Sequence, residues 1–221
     1  MNQPVSSSTP TSQTEWQALA TNLTLEGRAY LNGAYQWAAS GETFTSVSPI
    51  DGRQLAAIAS CGQSDADQAV MAARNAFEAG IWSQLAPARR KAVLLRFADL
   101  IEANGNELAL LETLDMGKPI NHARNVDVPA TARAIRWTAE AIDKVYGELA
   151  PTPHNQIGMI SREPMGVVAA IVPWNFPMIM AAWKIAPALA TGNSVILKPS
   201  EKSPLSAIRL AALAEEAGVP A

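Results

Sequence analysis

Cysteine is almost missing from this chain: Cys61 is the only one in 221 residues. An internal disulfide is therefore excluded, and such usage fits a reducing compartment, so a cytoplasmic setting is expected. Histidine is nearly as scarce. His122 and His154 stand in polar segments without ligand spacing, so no zinc site is implied and no metal is expected. No apolar run approaches the ~20 residues that span a bilayer, and the candidate Gly166–Val172 is only strand-sized. Met1–Thr14 has neither a basic nor an apolar region of the secretory kind, so no signal peptide and no membrane partner are expected. Basic residues do not dominate either: 17 Lys and Arg face 20 Asp and Glu, for a net charge of −3. That excludes the basic face of a general nucleic-acid binder. The dinucleotide fingerprint G-x-G-x-x-G is also absent.

What is present is ordinary globular material, 48% apolar and 17% charged, with abundant helix-favouring alanine. Residues 1–14 are rich in Ser, Thr, Gln and Pro and read as a disordered tail, followed by a short helix at Glu15–Leu25. As a unit the disordered tail is set at 1–20. Arg28–Leu31 and Ala34–Trp37 flank Asn32-Gly33, a hairpin turn. Thr43–Val47 and Gln54–Ala59 read as a second strand pair. Helices follow from Ser64 or Asp65 to Ala79, from Ala88 to Ala103, over Glu107–Asp115, and from Val128 to Tyr146. In the second of these, Val93, Leu94, Phe97, Leu100 and Ile101 share one face.

The pattern changes near residue 148. Leu149–Pro153 and Ile157–Arg162 read as extended. Gly166–Val172 is a continuous, β-branched apolar run, typical of a strand buried on both faces. A helix at Met178–Ala190, a second buried strand at Ser194–Leu197 and a helix at Pro204–Ala217 complete a βαβα unit of a parallel sheet. The fold class is α/β: hairpins and helices leading into an incomplete, Rossmann-like parallel sheet. Two strands leave an unpaired edge, so the architecture is expected to continue beyond residue 221.

Ligands in such sheets gather at the carboxyl ends of the strands. The first end is Val172-Pro173-Trp174-Asn175-Phe176-Pro177. Asn175 offers a neutral amide donor for a developing oxyanion, or it caps the helix that follows. The second end is Leu197-Lys198-Pro199-Ser200-Glu201. A lysine and a carboxylate there can hold a nucleotide ribose, or they are a solvated strand end. One βαβ unit separates the two ends, which makes them neighbours on one sheet edge.

In order along the chain stand Leu31-Asn32-Gly33, Leu111–Asp115 with Gly117-Lys118-Pro119, Glu163–Val168, Pro173–Pro177, Lys184, Pro187–Ala190 with Gly192-Asn193, and Lys198–Glu201. This series, over residues 28–221, resembles the aldehyde dehydrogenase superfamily. Ala134–Trp137 and Asp143–Gly147 make the bacterial γ-glutamyl-γ-aminobutyraldehyde dehydrogenases of polyamine breakdown the most similar branch. The resemblance implies NAD(P)+-dependent oxidation of an aldehyde, an amino- or γ-glutamylamino-aldehyde in that branch, to its acid. NAD is the implied cofactor, with NADP tolerated, and the intact enzyme is expected to be a homo-oligomer.

Residue by residue, the resemblance gives Asn175 the oxyanion role and Lys198, Ser200 and Glu201 the adenosine ribose. The backbone of Val172, Pro173 and Trp174 would lie along the cofactor. Lys184 matches a lysine sometimes assigned to a charge relay, beside the plainer reading of a structural helix lysine. Phe176, Ile179, Met180 and Trp183 share a helical face that borders the aldehyde tunnel in the family, or else pack in the core. Asp115 and the backbone of Val47 match positions that bind a monovalent cation in some members, beside the reading of an ordinary helix-end aspartate. Residues 21–146 and 166–221 would be the N-terminal part of the NAD(P)-binding domain, and 147–165 an extended bridging or oligomerisation segment. The family's catalytic cysteine, base and cofactor-loop glycines lie further along its chains. Cys61, in a polar turn without a nearby cation, reads as structural. The rival reading is a catalytically inactive, truncated binding or assembly module, or a remnant.

Overall fold

The computed structural model describes residues 9–221. The chain opens with α1 (Gln13–Thr21), where the Ser12 hydroxyl accepts from the Glu15 N–H and the Glu15 carboxylate accepts from the Ser12 N–H. This reciprocal cap, with Trp16 buried, carries the helix into the region assigned to the tail. The disordered assignment of 1–20 is thus corrected over Gln13–Ala20, and its first eight residues lie outside the described ones.

Strands β1 (Ala29–Leu31) and β2 (Ala34–Gln36) form the expected hairpin, with Asn32 and Gly33 both at positive φ as a two-residue turn requires. Strands β3 (Thr43–Val47) and β4 (Gln54–Ala59) pair antiparallel with an irregularity at Ser46/Val47. In α2 (Gln63–Glu78) the Asp65 carboxylate accepts from the Gly62 and Ala39 N–H groups, so it braces the helix start from its third position. Pro87 opens α3 (Pro87–Ala103), and Leu94, Phe97 and Ile101 are fully buried, with Val93 and Leu100 packed against the same core. Asn104 ends that helix and begins α4 (Gly105–Met116) with no linker between them.

The next helix begins at Val128 as expected, but helical turns precede it without a break and it stops short of Tyr146. A short turn, α5 (Ile120–His122), widens into a π-helical turn at Ala123–Asp127 and runs into α6 (Val128–Ala141), which ends in a 3-10 turn at Ile142–Lys144. Pro129, in the first turn of α6, has no N–H to offer the preceding turn, which is the wider π-helical one.

Strands β5 (Glu148–Ala150) and β6 (Gly158–Ile160) make an antiparallel pair carrying exposed Leu149 and Met159, with exposed Ile157 just before β6. Then β7 (Val167–Ile171), α7 (Pro177–Ala190), β8 (Ser194–Lys198) and α8 (Leu205–Ala217) form the βαβα unit, with β7 and β8 parallel from Val167 opposite Ser194 to Ile171 opposite Lys198. Burial of these strands on both faces is overturned. Within β7 only Ala170 is buried, Ile171 is 74% exposed, and β8 is half-buried along most of its length. The apolar run reflects the strands' composition, but among the described residues no third strand joins the pair. The core lies instead among helices α3, α6, α7 and α8, filled by Leu94, Phe97, Ile135, Met178, Leu205, Leu210 and Leu213.

Candidate active-site edge

The ladder between β7 and β8 continues one residue beyond the strand, where the Val172 N–H donates to the Lys198 carbonyl at 3.2 Å. Both chains then leave the sheet side by side. On one side Pro173 and Pro177 bracket Trp174-Asn175-Phe176, and Pro177 fixes the first residue of α7. On the other, Lys198-Pro199-Ser200-Glu201 turns toward α8. The Ser203 hydroxyl, donating to the Trp174 carbonyl at 3.3 Å, ties the two loops together. The sequence expectation that the two strand ends become neighbours holds.

Asn175 is exposed, and its side chain makes no hydrogen bond with the described residues. It does not cap α7: the cap position is Phe176, with no side-chain bond. The capping alternative is thereby removed and the amide is left available as a donor.

On α7 the inner face is Met178, Ala181, Ala182, Ile185, Ala186 and Leu189. Phe176 and Trp183 stand on the other side, exposed, with Ile179 and Met180 half-buried between them. Core packing among the described residues therefore does not account for Phe176 and Trp183, while Ile179 and Met180 are partly packed. Trp183 is 60% exposed, and Lys184 next to it is exposed with no ion pair among the described residues.

Lys198 and Glu201 are both exposed, with Lys198 Nζ 4.0 Å from Glu201 Oε2. The carboxyl of Glu201 is held below its ordinary range by its own backbone N–H, by the Ser200 hydroxyl and by Lys198. An ammonium donor beside an ionised acceptor is the donor set that a ribose diol matches. Ser200 is buried, and its hydroxyl donates to Glu201 and accepts from the Lys202 N–H. It orients Glu201 more than it presents itself.

Asp115 is buried, with Oδ1 accepting from the Ser46 hydroxyl at 2.6 Å and Oδ2 from the Leu205 N–H at 2.9 Å. Both oxygens are taken by protein donors that tie β3 to α8. Desolvation pushes this carboxyl up to about 6. Cys61 is exposed, and local burial and the nearby Asp65 raise its thiol pKa, the opposite of an activated nucleophile. No group of three His, Cys, Asp or Glu is gathered for a metal ion among the described residues. Nor is any described helix long and apolar enough to cross a membrane.

Sequence reasoning missed a buried charged trio beneath this edge: Glu112 in α4, Lys118 after it and Asp127 at the π-helical turn. Lys118 Nζ contacts Asp127 Oδ2 and lies 4.0 Å from Glu112 Oε2. It also sits 4.1 Å from the Phe176 ring centroid, in cation–π contact. The available signal was Glu112 within the apolar run Leu108–Leu114, where a carboxylate needs a partner.

Comparison with known proteins agrees with this geometry. The aldehyde dehydrogenase family model matches residues 37–221. The NADP/NAD-dependent aldehyde dehydrogenase PuuC of Escherichia coli (strain K12) is 61% identical over 205 residues, covering 93% of this chain and 41% of that protein. The chain thus spans about two fifths of this curated relative. A crystal structure of indole-3-acetaldehyde dehydrogenase complexed with NAD+ matches with a TM-score of 0.95 at 62% identity, covering 96% of this chain and 43% of the other. The structure of γ-glutamyl-γ-aminobutyraldehyde dehydrogenase from Burkholderia cenocepacia J2315 matches with a TM-score of 0.93 at 60% identity, covering 94% and 42%. With a family match over most of its length and the motif loops meeting at one sheet edge, the chain belongs to the aldehyde dehydrogenase family.

Proposed function

We propose that this chain contributes the adenosine-ribose end of an NAD(P) site and one wall of the substrate site of an NAD(P)+-dependent aldehyde dehydrogenase. The observation that carries the reading is the register of β7 and β8, which sets Asn175 and Glu201 on neighbouring loops with their side chains exposed. NAD, when bound, supplies the hydride acceptor of the reaction. Lys198 and Glu201 hold the ribose hydroxyls, with Ser200 bracing the glutamate. The backbone of Val172, Pro173 and Trp174 lines the path between the two loops. Asn175 donates its amide N–H to the oxygen that gains charge as a nucleophile adds to the aldehyde. Phe176, Met180 and Trp183 shape the apolar wall. Lys184 stands one residue beyond it and offers a cation at the rim.

The substrate class we favour is an amino- or γ-glutamylamino-aldehyde of polyamine catabolism, supported by the likeness to PuuC and to the Burkholderia enzyme. The single free thiol supports a reducing, cytoplasmic setting. The exposed apolar residues of β5 and β6 support homo-oligomerisation through segment 147–165.

The deciding experiment purifies the full-length gene product and follows NADH formation from γ-glutamylaminobutyraldehyde and from simple aliphatic aldehydes. Turnover that needs both aldehyde and NAD+ and is severely reduced in Asn175→Ala is the expected result. Turnover indifferent to Asn175 overturns the assignment.

A further inference from the structure

The trio beneath Phe176 has a charge imbalance. Two carboxyl groups, Glu112 and Asp127, face one ammonium, Lys118, and all three are at most 8% exposed. One oxygen of each carboxyl is engaged: Glu112 Oε1 accepts from the Met178 N–H at 2.9 Å, and Asp127 Oδ2 meets Lys118. The remaining pair, Glu112 Oε2 and Asp127 Oδ1, has no donor among the described residues. Two ionised groups here would leave an uncompensated charge and two orphaned acceptors out of water, which is costly. Both carboxyls lie at the Lys118 ammonium and so are neighbours, and one proton on Glu112 directed at Asp127 supplies a donor between them and makes the trio neutral.

The placement matters because Met178 lies in the first turn of α7, three residues beyond Asn175. Glu112 grips that turn through its backbone, and Lys118 supports the Phe176 ring. We infer that Glu112 is a positioning residue: as a neutral carboxylic acid bonded to Asp127, it fixes the start of α7 and so aims Asn175. This rests on the reading of Asn175 as oxyanion donor. Burial and the adjoining Asp127 push the Glu112 carboxyl well above the ordinary carboxylate range, in agreement.

The test uses the full-length gene product with Glu112→Gln, Glu112→Met and Asn175→Ala, and infrared spectra of the wild type and the glutamine variant. Glutamine keeps an acceptor for Met178 and supplies a donor for Asp127; methionine keeps the volume and does neither. Because small displacements of a positioned group are expensive for turnover, Glu112→Met is expected to lower kcat about tenfold or more with KM for NAD+ within about twofold, while Glu112→Gln stays within about threefold of wild type. The infrared spectrum should contain a protonated-carboxyl stretch that Glu112→Gln removes. Wild-type kcat in Glu112→Met, glutamine as damaging as methionine, or no such stretch would each overturn the inference. Should Glu112→Met not fold, the glutamine kinetics and the infrared stretch decide alone. Turnover lost in Asn175→Ala but kept in Glu112→Met leaves the functional reading standing and removes this one. A wild type without aldehyde turnover removes that reading, and the positioning role with it.

Discussion

Asn175 and Glu201 carry the two sharpest expectations at the scale of single residues. Removing one oxyanion donor typically costs about 100- to 1,000-fold in kcat, so Asn175→Ala in the full-length product should fall in that range with KM for NAD+ little changed. Glu201 is ionised and exposed, and it would repel the 2′-phosphate of NADP+, which carries about −1.5 to −2 charge near neutrality. Lys198 offsets part of that repulsion. A charged hydrogen bond to the ribose is worth about 1.5–3 kcal/mol, so NAD+ should be preferred by roughly tenfold to a hundredfold in kcat/KM. Glu201→Gln should shrink that ratio, and an unchanged ratio would remove the ribose role. Asp115 makes a prediction about pH. Its carboxyl is raised from 3.8 to about 6 in the folded state, so folding takes up a proton between those values. The stabilising contribution is complete below 3.8 and is lost as the pH rises through about 6. Asp115→Asn should flatten the decline in melting temperature over that interval; an equal slope in wild type and variant would show that Asp115 is not its source.

Elements divide by how local their cause is. The strand limits of β3 and β4 and the hairpin at Asn32-Gly33 were legible in the sequence, because turn residues and alternation act over a few positions. So was the meeting of the two strand ends, which the strand–helix–strand spacing dictates. The π-helical turn before Val128 was not, since its last residue, Asp127, is held by a buried contact with Lys118 that local sequence pattern does not reveal. The burial of β7 was misread because apolar composition cannot say whether a second layer covers it. The charged trio was not legible because the turn between α4 and the π-helical turn, which periodicity does not specify, brings its members together. The β5–β6 pair gives the element-scale test. Leu149 and Met159 are opposite partners, both strongly exposed. Changing both to aspartate should shift the full-length product toward smaller species in sedimentation, with its circular dichroism unchanged. An unaltered assembly would place the interface elsewhere.

At the scale of the whole molecule, the 221-residue chain expressed by itself should form no NADH from aldehyde. Its only thiol, Cys61, is raised in pKa rather than activated. Turnover abolished by Cys61→Ser would promote that residue to nucleophile. Exposed Met165, Ile171, Ile157 and Trp183 also predict self-association of this chain at micromolar concentration, readable by light scattering.

Helix α7 has its anchoring side chains on one flank and its outward residues on the other. The small alanines at 181, 182 and 186 let its back lie close against the other core helices, while Met180 and Trp183 bear little of that packing. Exchanges at positions 180 and 183 should therefore leave the fold as it is. If these side chains form the proposed wall of the substrate site, a lineage could try new aldehydes there one substitution at a time, with the scaffold kept intact for the next.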